Sequence, residues 1–241
     1  MSLALFDTDK TLLDVSTLVE RAFSEATNRA VGQRFKFAHL KPHEYAGVDM
    51  EAIFRTWLER RFQYLPKELS RVSRQHWREV EKNYYDNLEG LLETQGRREK
   101  YLVTGIKEFL TLLHEQDIPC GVYSGAPIRI HRLSLESLEL DKYFQVRVSH
   151  GYANIKTRPG LIQYCHTHME HQLGKNIPKS RVVAFGDSPK DALAARQYGI
   201  RCAIILEKSS SPLEDIKAAS PDYIFDSFEK GEKIIDTVFL R

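Results

Sequence analysis

The chain has 241 residues, 42 % of them hydrophobic and 28 % charged, with a formal net charge of +2. That balance is ordinary for a folded protein of one large domain or two modest ones. It offers neither the Lys/Arg block of a nucleic-acid surface nor the roughly 20-residue apolar run of a membrane helix. Asp7 and Asp9 interrupt the N-terminus where a signal peptide would carry its apolar region, so the expected setting is the cytoplasm, with no nucleic-acid or membrane partner.

The first predicted element is a buried strand, Leu3-Ala4-Leu5-Phe6, running straight into Asp7-Thr8-Asp9. Strand alternation sends Asp7 and Asp9 to one face and Thr8 to the other, unless Asp9 already opens the turn. Two carboxylates so close raise each other's pKa unless a cation lies between them. Oxygen-only ligands favour Mg²⁺ over zinc.

From about Val15 to Lys100 the texture is helical. Leu18, Val19, Ala22 and Phe23 share one face, as do Met50, Ile53, Phe54, Trp57 and Leu58. Leu69, Val72, Trp77, Val80 and Tyr84 form a third stripe, with Pro66 well placed to start its helix. The aromatic residues Phe54, Trp57, Phe62, Trp77 and Tyr84 read as the core of this block, which is an all-helical insertion.

From Tyr101 strands and helices alternate. A helix follows Gly105 over 106–113, and a strand over 118–123 ends at Ser124. Then come a helix over 127–138, a strand over 144–148, a helix over 157–173, a strand over 181–186 and a helix over 189–198. Two further strands, 200–206 and 223–225, lie beside helices at 212–219 and 228–238. This alternation predicts an α/β fold, a parallel sheet with helices on both faces. Of the cysteines, Cys120 and Cys202 lie in strand-like runs and read as buried thiols. With Cys165 they make an odd set without CxxC spacing, as in a reducing compartment. His166, His168 and His171 do not form a zinc set, because 166 and 168 point to different helix faces and no Cys or carboxylate completes it.

Four constellations fall at predicted strand ends. The first is Asp7-Thr8-Asp9. The second is Ser124-Gly125-Ala126-Pro127, read either as an anion site beside a helix start or as a plain Ser cap. The third is Lys156-Thr157-Arg158-Pro159, with Lys156 able to neutralise charge or simply to be solvated, and Thr157 able to cap the helix. The fourth is Gly186-Asp187-Ser188-Pro189-Lys190-Asp191, in which Asp187 mirrors Asp7 and Ser188 with Asp191 matches a capping box.

In this order the motifs resemble the haloacid dehalogenase superfamily, in its phosphoglycolate-phosphatase-like branch. The resemblance implies a Rossmann-like, doubly wound core over 1–14 and 101–241. Residues 15–100 correspond to the helical cap domain inserted after the first strand. It implies a Mg²⁺-dependent phosphatase of small phosphorylated metabolites, monomeric or homodimeric. Asp7 would form an aspartyl-phosphate and Asp9 act as general acid and base. Ser124, Gly125 and Lys156 would hold the phosphoryl group, with Lys156 also stabilising Asp7. Asp187 would bind the metal with the Asp7 carboxylate and the Asp9 backbone carbonyl, and Asp191 would support the metal site, directly or through water. Asp9 favours ester chemistry over dehalogenation. A phosphotransferase or phosphomutase on sugar phosphates uses the same core, and a non-catalytic phosphate-binding protein is the alternative from another class. The loop His43–Asp49, with Gly47, is the segment expected to reach the substrate. Arg55, Arg60, Arg61 and Lys67 read as a solvated face or as partners of a second anionic group. Lys10 stands where that branch usually has glycine and is read as pointing outward.

Overall fold

The computed structural model describes residues 1–36, 50–62, 66–94, 98–150, 155 and 157–239. It divides into two compact units, Met1–Asp14 with Arg97–Arg241, and Val15–Gly96. Among the described residues no helix is long and apolar enough to cross a membrane.

The first unit is built on a six-stranded parallel sheet in the order β3-β2-β1-β4-β5-β6. The strands are β1 (Leu3–Asp7), β2 (Cys120–Pro127), β3 (Val146–His150), β4 (Val182–Gly186), β5 (Arg201–Ile205) and β6 (Tyr223–Phe225). This is the doubly wound order, whose direction reverses between β1 and β4; ligands bind at the carboxyl ends of strands beside such a switch point. The β1 sequence occupies the centre because all five of its residues are buried. Strands buried on both faces read as unbroken apolar runs.

Alternation along β1 then assigns the two cores. Leu3 and Leu5 pack with Cys165 and Met169 of α6 (Arg158–Leu173), with Ala192 and Ala195 of α7 (Pro189–Tyr198) and with Ile216 of α8 (Leu213–Ala218). On the opposite face Phe6 stacks on Phe185 at 4.7 Å and meets Phe109 edge-on at 6.2 Å. Phe109 lies in α4 (Ile106–Glu115) and stacks on Phe228, which precedes α9 (Gly231–Val238). Each such aromatic pair adds about 0.5–1.5 kcal/mol beyond burial of its area. All three cysteines are buried and unbridged, as the strand-like runs predict for Cys120 and Cys202.

The boundary that matters to the site differs from the sequence reading at Ser124. β2 does not end at Ser124 but runs to Pro127 through a register shift against β3. The helix that follows, α5 (Ile128–Ser137), therefore begins four residues beyond Ser124, and Pro127 occupies its N-cap position. Ser124 is thus neither the cap nor the first turn of that helix. The short 3₁₀ turn Arg98–Tyr101 goes with the sheet unit. Asp14 N–H donates to the Tyr101 carbonyl at 2.7 Å, and Val103 N–H to that of Leu12 at 2.9 Å.

The second unit holds α1 (Ser16–Val31), α2 (Met50–Phe62) and α3 (Pro66–Thr94). Its interior is aromatic: Phe23, Phe35, Phe54, Trp57 and Tyr84 are all buried. Phe35 meets Phe23 at 5.4 Å and Trp57 at 5.3 Å, both edge-on. Trp77 and Phe62 lean on Phe54 and Trp57, each pair at 5.9 Å. Arg55, Arg60 and Arg61 are exposed on α2. The loop His43–Asp49 and the side chain of Lys67 lie outside the described residues.

Candidate active site

β1 delivers Asp7 to the carboxyl edge of the sheet at its central strand, and β4 ends immediately before Asp187. Asp9 lies beyond the strand, in a tight turn closed by Lys10 N–H donating to the Leu13 carbonyl at 2.6 Å. The turn is pinned to the neighbouring strand by the Thr8 hydroxyl, which donates to the Tyr123 carbonyl at 3.0 Å. It also requires a left-handed residue, since Lys10 has φ 63°. That geometry explains why glycine suits the position. Lys10 is half-exposed, and its charge offsets part of the rise that burial imposes on Asp9 and Asp187.

Ser124 is fully buried. Its hydroxyl accepts from Ala126 N–H at 3.0 Å. Gly125 is exposed beside it. Asp9 is the exposed member of the acidic group, whereas Asp7, Asp187 and Asp191 are buried.

Asp191 fulfils the capping expectation. Its Oδ2 accepts from Asp187 N–H at 3.3 Å, Ser188 N–H at 3.1 Å and the Ser188 hydroxyl at 2.6 Å. Gly186 makes this possible, because any Cβ there would overlap the Asp191 side chain. Ser209, in the turn after β5, fixes the other side of the site by donating to the Asp187 carbonyl at 2.6 Å.

The sequence reading assigned the neutralising cation to Lys156, which lies outside the described residues. The structure brings Arg158 to that task. Its Nη1 lies 3.2 Å from Asp7 Oδ1 and pairs with Asp191 Oδ1. Arg158 is the first residue of α6, with Thr157 as its N-cap. A cation at a helix N-terminus opposes the helix dipole, so the two carboxylates are what make the position favourable. The signal was present in sequence only as a second basic residue at the same helix start.

Among the described residues, negative charge at the site is in surplus. Burial pushes Asp7 well above the usual carboxylate range; Arg158 opposes this, and repulsion from Asp191, Asp9 and Asp187 adds to it. Burial, with Asp191 beside it, raises Asp187 to about 7. Surrounding protein raises Asp9, against Arg158. Hard oxygen donors in excess of the local cations suit Mg²⁺. Among the described residues no three Asp, Glu, His or Cys side chains already stand together as a metal-ligating group. The donor chemistry thus fits a divalent cation, while one of its predicted ligands, Asp191, has its two oxygens engaged by Ser188 and Arg158.

The Asp187 shift sets a pH dependence. Its folded pKa lies above its unfolded value, so the folded protein holds more protons between about pH 4 and 7. The stability this contributes is complete below that window and is lost as pH rises through 7. In chelator, stability is expected to fall between pH 5 and pH 8, with Asp187 contributing roughly 2–3 kcal/mol and Asp7 and Asp9, raised in the same sense, adding to the loss. Asp187→Asn should flatten the profile; an unchanged slope in that variant overturns the assignment.

The remaining histidine expectation resolves simply. His166 is buried, with Nε2 donating to the Ile177 carbonyl and Nδ1 accepting from the Tyr198 hydroxyl, both at 2.9 Å.

With this geometry in place, the comparisons with known proteins are informative. The family model described as haloacid dehalogenase-like hydrolase matches residues 4–205. A protein named pyrophosphatase PpaX, from Caldanaerobacter subterraneus subsp. tengcongensis, is 28 % identical over 96 % of this chain and 93 % of its own length. A phosphoglycolate phosphatase from Photobacterium profundum is 27 % identical over 98 % of this chain and 94 % of its own. Among solved structures, a predicted phosphoglycolate phosphatase from Haemophilus somnus superposes with a TM-score of 0.72 at 19 % identity, covering 97 % of each chain.

Proposed function

The chain belongs to the haloacid dehalogenase-like hydrolase family and is a phosphoric monoester hydrolase of it; from that premise we propose that it hydrolyses small phosphorylated metabolites through an aspartyl-phosphate on Asp7. The observation that carries this is the meeting of Asp7, Asp9, Asp187 and Arg158 at the switch point of the sheet.

A carboxylate oxygen of Asp7 attacks phosphorus while the bond to the ester oxygen breaks, and Asp9 gives that oxygen a proton. Asp9 then takes a proton from water, which attacks phosphorus, releases phosphate and restores Asp7. Ser124, Gly125 and Lys156 hold the phosphoryl oxygens. Asp7, Asp9, Asp187 and Asp191 are the residues that would hold Mg²⁺, which supplies charge compensation for the phosphoryl group. Phosphoryl transfer depends chiefly on such positioning and compensation. Both curated relatives carry phosphohydrolase names, which favours hydrolysis over transfer to a sugar hydroxyl.

The test is hydrolysis of an aryl phosphate by the purified chain, followed by a screen of phosphorylated metabolites. Phosphate release that requires Mg²⁺ and stops in chelator is expected. Release that is indifferent to chelator overturns the metal reading, and none with any phosphate ester overturns the function.

A further inference from the structure

We propose that Arg158 and the divalent cation compete for the carboxylates of Asp7 and Asp191, so that this arginine sets the metal affinity of the site. The inference rests on the reading that those carboxylates belong to a Mg²⁺ site, and it assigns to Arg158 a role separate from holding substrate.

Three observations support it. One guanidinium nitrogen reaches both carboxylates, Asp7 Oδ1 at 3.2 Å and Asp191 Oδ1. Asp191 has no second oxygen to offer, because Oδ2 already accepts from three donors of the β4–α7 turn. Any direct bond from Asp191 to a metal therefore needs the atom that Arg158 holds. Finally, the guanidinium is oriented rather than loosely placed. Its Nη2 lies toward Gly125, 3.9 Å from where a Cβ at that position would stand, while Arg158 itself is fixed by the first turn of α6. A planar guanidinium held by two carboxylates is stronger and more directional than a lysine ammonium at the same place.

The cation must work against this arrangement in two ways. It loses Asp191 Oδ1 unless Arg158 swings away, and it meets a positive charge within a few ångströms of Asp7 if Arg158 stays. Either way, removing the guanidinium should tighten metal binding, even though it removes a stabilising ion pair from the folded protein. A merely structural arginine would give the opposite result, a looser site and weaker binding.

The experiment uses the full chain without substrate. Isothermal titration with Mg²⁺, and with Mn²⁺ as a second probe, compares the wild type with Arg158→Gln. The expected result is at least ~10-fold tighter binding in the variant, the size of one lost charge-assisted contact. In chelator the variant should also melt below the wild type, and saturating Mg²⁺ should close that gap. Should Arg158→Gln fail to fold without metal, arginine ¹⁵N spectra of the wild type carry the test. One guanidinium signal, absent in Arg158→Lys, should shift or broaden as Mg²⁺ is added. Equal or weaker metal affinity in Arg158→Gln, or a guanidinium signal that ignores saturating Mg²⁺, overturns the proposal alone. Absence of any metal response in both proteins overturns it together with the Mg²⁺ reading.

Discussion

Asp7→Asn is expected to abolish Mg²⁺-dependent phosphate release, with kcat reduced at least ~10³-fold, because the amide cannot serve as the attacking oxygen. The fold should survive the change. Asp7 is repelled by Asp191, Asp9 and Asp187 as well as attracted by Arg158. The amide keeps the shape of the side chain and removes that repulsion, while Arg158 retains Asp191 as its partner. Melting temperature should therefore stay within several degrees of the wild type, and substrate should still bind. Equilibrium binding of a phosphate ester to the inactive variant separates loss of chemistry from loss of the site. Turnover near the wild-type rate in Asp7→Asn would remove the nucleophile from this residue and with it the covalent route.

The acidic positions of this site were legible in sequence because each follows a strand that is legible. Leu3–Phe6 and Val182–Phe185 are unbroken apolar runs, and a carboxylate directly after such a run has little choice but the carboxyl edge of the sheet. The capping box of Ser188 and Asp191 was legible for a similar reason, since its contacts are local. The end of β2 was not. Gly125, Ala126 and Pro127 are poor strand formers, and they continue β2 only because a register shift against β3 accommodates them. Arg158 was the larger omission. In sequence it is one of 35 basic residues, and at a helix start a basic residue reads as solvated. Only the fold shows that α6 begins over Asp7, where two carboxylates separated by 184 positions share one guanidinium. Ser209 is comparable: its polar turn gives no hint that it holds the Asp187 carbonyl. Contacts between distant segments are set by topology, and periodicity carries information only about neighbours.

Asp9→Asn tests the second half of the chemistry, and its signature differs from that of the nucleophile. Proton transfer by a positioned group contributes about 10²–10⁴-fold, so kcat on an alkyl phosphate should fall by that range. An aryl phosphate whose leaving oxygen departs unprotonated should lose less in its first step. The ratio of aryl to alkyl kcat/KM, which reports the first step alone, is therefore expected to rise in the variant, a change that general damage to the site would not produce. The second step should slow for both substrates, since the same carboxylate must take a proton from water. A phosphorylated form of the protein should then accumulate and be visible by mass spectrometry at low pH. The environment suits this double duty: desolvation by the surrounding protein raises the Asp9 carboxyl above the ordinary carboxylate range. It is also exposed, so water and leaving group can both reach it. An unchanged aryl-to-alkyl ratio, with no accumulation of phosphoprotein, would assign the proton transfers to another group, because no loss of structure alone mimics a dependence on the leaving group.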